Sequence, residues 1–111
     1  ELTQYDFRDT ALRKGSFYQQ NNFIQIDQLK LVIIDRLPTH LPPQPISIDV
    51  ILLRKSPQLA IADLQPYFTF KLLVFDASNS RRNREMWTNY CLENHLPYYD
   101  IEKQGAFILD L

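Results

Sequence analysis

Apolar residues in this chain come in short blocks, not long stripes, and the blocks are spaced by polar turns and prolines. Phe23, Ile24 and Ile26 alternate loosely with polar neighbours, and Leu29–Ile34 follows as a run rich in branched side chains. With Asp27-Gln28 between them, they predict a β-hairpin within Phe17–Asp35. Asn21-Asn22 is expected to make an earlier turn, because asparagine tolerates positive φ. Ile46–Leu53 predicts the next strand. Its Val50-Ile51-Leu52-Leu53 segment is apolar on both faces, as suits a strand covered on both sides. Leu72–Phe75 predicts another buried strand.

Helical signals lie between and after these strands. Ser56-Pro57 has serine at an N-cap position and proline at the first helical position, with Leu59, Ile61 and Ala62 facing the sheet and Pro66 ending the helix. A longer helix is predicted over roughly Arg82–His95, capped by Ser80 or Asn79. Trp87, Tyr90, Cys91 and Asn94 recur at i, i+3, i+4 and i+7, so Trp87 and Cys91 mark its buried stripe, and Pro97 stops it. Tyr98–Ile101 and Ala106–Leu109 read as a closing strand pair with Gly105 in the turn. Leu37–Pro45 carries Pro38, Pro42, Pro43 and Pro45 and reads as an extended connector. Residues 1–16 have weak periodicity and fit a leading strand, a short helix or a frayed end.

The predicted class is α/β: a β-hairpin followed by β-α-β-α-β-β, with helices packed on a mixed sheet. Right-handed crossovers would bring the loops after Leu53 and after Phe75 to one edge of that sheet. With 111 residues and 45% hydrophobic content, the chain suffices for one domain, residues 1–111, with 1–16 peripheral. A net charge of −1 means that any nucleic-acid binding must come from a local patch. Cys91 is the single cysteine, so no internal disulfide can form. The apolar runs Leu31–Ile34 and Val50–Leu53 are far too short to span a bilayer, and no signal peptide is recognisable. The first residues, ELTQYDF, lack a methionine, and the chain is expected to be a piece of a longer protein. Its two glycines, Gly15 and Gly105, exclude a glycine-rich phosphate loop.

Candidate chemistry is sparse. His40 and His95 are the only histidines, and no metal-ligand spacing accompanies them. Ser56, Ser78 and Ser80 have no histidine predicted nearby, so no nucleophile–base pair is assigned, and Cys91 reads as a buried structural thiol. Asp76 ends a buried strand. It reads as an acid, an ion ligand or a partner for backbone N–H groups in the Ser78–Ser80 turn. The positive signal is basic. Arg81, Arg82 and Arg84 open a helix, where the macrodipole would favour acids, and Arg54 and Lys55 follow the neighbouring strand. These cations, with Ser78, Asn79 and Ser80, are the candidate phosphate-binding edge; the competing reading is a solvated basic face partly neutralised by Glu85.

The segment from Pro45 to the end, PISIDVILLRKSPQLAIADLQPYFTFKLLVFDASNSRRNREMWTNYCLENHLPYYDIEKQGAFILDL, resembles the end of the soluble C-terminal region of ComEC-type competence proteins. The likeness is closest to the divergent form in Bacteroidetes. It covers roughly residues 16–111 and is most secure over 71–111. ComEC-type proteins are polytopic membrane proteins associated with DNA uptake, and in better-known members this region is metallo-β-lactamase-like. There the strand matched by Ile48–Leu53 runs into a His-His-Gly-Ser element; here Leu53-Arg54-Lys55-Ser56 keeps only the serine. A later Asn-Arg-Tyr-Gly-His-Pro-like loop and a Gly-Ala-Ile ending are matched by Phe75–Arg84 and Gln104-Gly105-Ala106-Phe107-Ile108, without the histidine. No family metal ligand carries over. The resemblance implies half of a metallo-β-lactamase-like sandwich with no cofactor and no catalytic residues. It also implies a soluble domain of a bacterial inner-membrane protein, on the periplasmic side. The expected partners are single-stranded DNA and the membrane-embedded part of the same parent. Competing expectations are a phosphodiesterase remnant using Asp76 with Asp49, and a purely structural module exposing Tyr67, Phe68 or Tyr98.

Overall fold

The computed structural model describes residues 2–4 and 23–110. Nine strands are described: β1 (Leu2–Gln4), β2 (Phe23–Ile26), β3 (Leu29–Ile34), β4 (Ile46–Ser47), β5 (Val50–Leu53), β6 (Phe68–Thr69), β7 (Leu72–Phe75), β8 (Tyr98–Asp100) and β9 (Ile108–Asp110). A 3-10 turn covers Ile61–Leu64, and the α-helices are α1 (Arg81–Glu93) and the short α2 (Ile101–Gln104). The class is α/β, as expected. A five-stranded mixed sheet has the order β2-β3-β5-β7-β8; β2 is antiparallel to β3 and every later neighbour is parallel.

That order fixes where the connections lie. Each parallel strand is added on the same side of the last, so right-handed crossovers put every connection on one face. The core shows this directly. Val32, Ile34, Ile51, Leu53, Leu73 and Phe75 face one layer, where they meet Ile48, Leu59, Ile61, Leu64, Phe68, Trp87 and Cys91 from the crossovers. Leu31, Ile33, Val50, Leu52 and Val74 point to the other face, where Ile24, Phe107, Tyr99 and Ile101 gather. The two-residue period of the strands is thus written into two separate apolar clusters. Double-sided burial of Val50–Leu53 is confirmed, but the long helix α1 covers one face only.

The hairpin turn falls at Asp27, whose φ of 54° an aspartate tolerates. The expected turn at Asn21-Asn22 and residues 5–22 generally lie outside the described residues. Three expectations are corrected. The Ile46–Leu53 strand is split: Ile46–Ser47 pairs with β6, while Asp49 turns aside and accepts the Lys30 N–H through Oδ2 at 2.7 Å. The helix expected from Ser56-Pro57 shrinks to the 3-10 turn, preceded by Ala60 and not by a serine cap. Lys55 and Ser56 have φ of 63° and 49°, which a helix start excludes, and Ala62 is exposed while Leu59, Ile61 and Leu64 are buried. Finally, β8 and β9 do not pair with each other. Residues 101–104 coil into α2, Gly105 follows at φ 87°, and β9 pairs antiparallel with β1.

Candidate nucleic-acid interface

Parallel register aligns Ile34, Leu53, Phe75 and Asp100 in one row across the sheet. The residues that follow the first three of them, Asp35, Arg54 and Asp76, therefore emerge together at the carboxyl edge, where open α/β sheets gather ligands. The N-terminus of α1 opens onto the same edge. Its cap is settled: Ser80 Oγ accepts the Asn83 N–H at 3.1 Å. Trp87 anchors the helix to the layer beneath, fully buried, its Nε1 donating to Leu59 O at 3.1 Å and its ring tilted on Phe75 at 5.6 Å.

Two loops are sewn together here. Lys55 N–H donates to Ser78 Oγ at 2.9 Å, and Ser56 N–H donates to Asn79 Oδ1 at 2.9 Å. Ser80 N–H donates back to Ser56 Oγ. Asn79, one of two buried polar residues among those described, sends Nδ2 to Leu53 O at 2.8 Å and to Asp76 O at 3.0 Å. The left-handed Lys55-Ser56 pair thus exchanges its own strain for bonds to a loop 23 residues further on. Ser56, Ser78, Asn79 and Ser80 all spend polar atoms inside this network.

Asp76 belongs to the same network. One oxygen accepts Arg54 Nε at 3.0 Å; the other accepts the Ser78 N–H at 3.1 Å and the Ser78 hydroxyl. Both oxygens are therefore occupied by donors, which is the work of a turn anchor. Asp49 lies at the opposite, amino edge, held by Lys30 N–H and by Lys71 Nζ at 3.4 Å. The whole length of β5, about 13 Å at ~3.3 Å per residue, separates the two edges. Asp49 and Asp76 cannot share an ion. The Lys30 N–H bond lowers the Asp49 pKa below its ordinary value of 3.8, partly opposed by desolvation and assisted by Lys71.

The five cations of the candidate edge divide into two groups. Arg54 is drawn inward by Asp76, and Arg84 lies beneath the α1 terminus with Nε donating to Asn79 O at 3.3 Å and Nη1 3.8 Å from Asp100 Oδ1. Lys55, Arg81 and Arg82 are exposed. Arg81 pairs with Glu85 at 2.9 Å, and its side chain is 86% exposed. The first turn of α1 contains no acid of its own; the nearby carboxylates, Asp100 and Glu85, reach it only through Arg84 and Arg81. Sequence reasoning missed Asp100, which is buried, accepts the Glu102 N–H at 3.0 Å and braces Arg84. Its signal was an aspartate two residues before an N–H that needed a cap, the Asx pattern of helix starts.

Among the described residues, no group of three or more His, Cys, Asp or Glu could hold a metal ion, so the donor set of a metallo-β-lactamase-like site does not fit this edge. His40 donates to or accepts from its neighbour Thr39 Oγ1 at 3.0 Å; His95 is exposed just past α1 with φ 54°. Cys91 is buried and desolvation raises its thiol to about 11. Phe68 is buried, and Tyr67 and Tyr98 are packed against the core, Tyr98 stacked on Phe75 at 6.1 Å, so they form no exposed aromatic patch.

The family model for the ComEC C-terminal domain matches residues 2–111. The chain belongs to this family. Membership places it in a competence, DNA-uptake protein. No curated protein and no solved structure matches the chain. The family is one of membrane proteins with a soluble domain, and among the described residues no helix is long and apolar enough to cross a membrane.

Proposed function

We propose that this domain is a non-catalytic module that guides DNA phosphates along its carboxyl edge. The observation that carries this reading is charge placement. Lys55, Arg81 and Arg82 stand exposed beside the positive end of α1, whose first turn has no acid. A side-chain arrangement selected for stability alone would place acids there. Arg54 and Arg84 are consumed by Asp76, Asn79 and Asp100, so they build the edge and the outer three cations contact the ligand. Contacts to phosphate alone position a strand without specifying its sequence.

The natural ligand in a DNA-uptake protein is single-stranded DNA, delivered to or from the membrane-embedded part of the same parent. A guiding surface serves best on the side from which DNA arrives, which favours the periplasmic face of the inner membrane. The resemblance over residues 16–111 is the ground for a metallo-β-lactamase-like origin, whose histidines are absent at Arg54-Lys55 and in the Ser78–Ser80 loop. Hydrolysis is disfavoured because Asp76 is saturated by donors and lacks converging oxygen ligands for a hard cation.

The test is a binding titration with a fluorescent single-stranded oligonucleotide. Arg81→Ala combined with Arg82→Ala should weaken binding at least several-fold while leaving the unfolding midpoint in place. Unchanged affinity overturns the basic-edge reading. Incubation of the same DNA with Mg²⁺ or Mn²⁺ should yield no cleavage above background; cleavage abolished by Asp76→Ala would make the domain an enzyme.

A further inference from the structure

We draw no further inference here: the strongest candidate, the buried Asp100 carboxylate at the end of β8 beneath the first turn of α1, leaves Oδ2 without a hydrogen-bond partner among the described residues, but its side chain is 3% exposed and nothing in the structure shows what ligand would reach it.

Discussion

Replacing Asn79 by alanine should unfasten the carboxyl edge. The wild-type side chain supplies two donor bonds, to Leu53 O at 2.8 Å and Asp76 O at 3.0 Å, and accepts one from Ser56 N–H at 2.9 Å. Each such bond contributes about 1 kcal/mol net, and a buried group left unpaired costs about 1–3 kcal/mol. Leu53 O is the deeply buried partner, whereas water can reach the Ser56 side. The expected loss is therefore about 2–4 kcal/mol, since the terms overlap. Strain at Lys55 and Ser56, no longer held by Asn79, adds to the unfolding tendency of that loop. Urea denaturation followed by the fluorescence of Trp87, buried under this edge, reads the loss as a lower midpoint at unchanged slope. Asn79→Asp sharpens the test. It keeps an acceptor for Ser56 N–H but turns oxygen towards the carbonyls of Leu53 and Asp76, so it should be at least as damaging as alanine. A loss under about 1 kcal/mol for alanine, or a wild-type-like aspartate variant, would refute the network as the element that holds the two loops.

Because the folded Asp49 has a lowered pKa, its contribution is present above the unfolded value of 3.8 and is lost as pH falls through the lower folded value. The stability gap between wild type and Asp49→Asn should be constant near neutrality and close progressively below about pH 4; a gap independent of pH down to 2 would be inconsistent with the Lys30 N–H bond. His95 sits in the left-handed position after α1, and Leu96 N–H donates to Cys91 O at 2.9 Å, closing a Schellman turn. Glycine relieves the Cβ there, so His95→Gly should stabilise by about 0.5–1 kcal/mol in thermal or urea unfolding, and a destabilised variant would show that the imidazole makes a contact worth more than the strain. The Cys91 thiol, raised to about 11 by burial, should stay protonated at pH 8 and react with a thiol reagent only at the rate of unfolding. Rapid labelling in native buffer would contradict its burial.

Much of this fold was legible because burial is periodic. Leu29–Ile34, Val50–Leu53 and Leu72–Phe75 are strands, Trp87 and Cys91 mark the buried stripe of α1, and the loops after Leu53 and Phe75 meet. What failed was decided at a distance. Ser56-Pro57 has the local grammar of a helix start, but Ser78 and Asn79, far along the chain, hold Lys55 and Ser56 in the left-handed region. Asp49 looks like one polar residue inside a strand, yet its side chain caps the start of β3 and breaks the run. The C-terminal strand found its partner in Leu2–Gln4, and no local pattern announces a pairing between chain ends. At the site, sequence alone grouped five cations by position. It could not tell that Arg54 and Arg84 face inward, because that depends on Asp76, just past the neighbouring strand β7, and on Asp100, at the end of β8.

The salt dependence of DNA binding is the sharpest check on a phosphate-guiding edge. Three exposed cations engaging single-stranded phosphates should give a slope of log K against log salt near −2, from ~0.7 counterions released per contact. Substituting Lys55, Arg81 and Arg82 by alanine together should bring that slope close to zero, while the folded state, held by Arg54, Asp76, Asn79 and Arg84, persists. An unchanged slope in the triple variant, or a wild-type domain that binds no DNA at low salt, would contradict a phosphate-guiding edge.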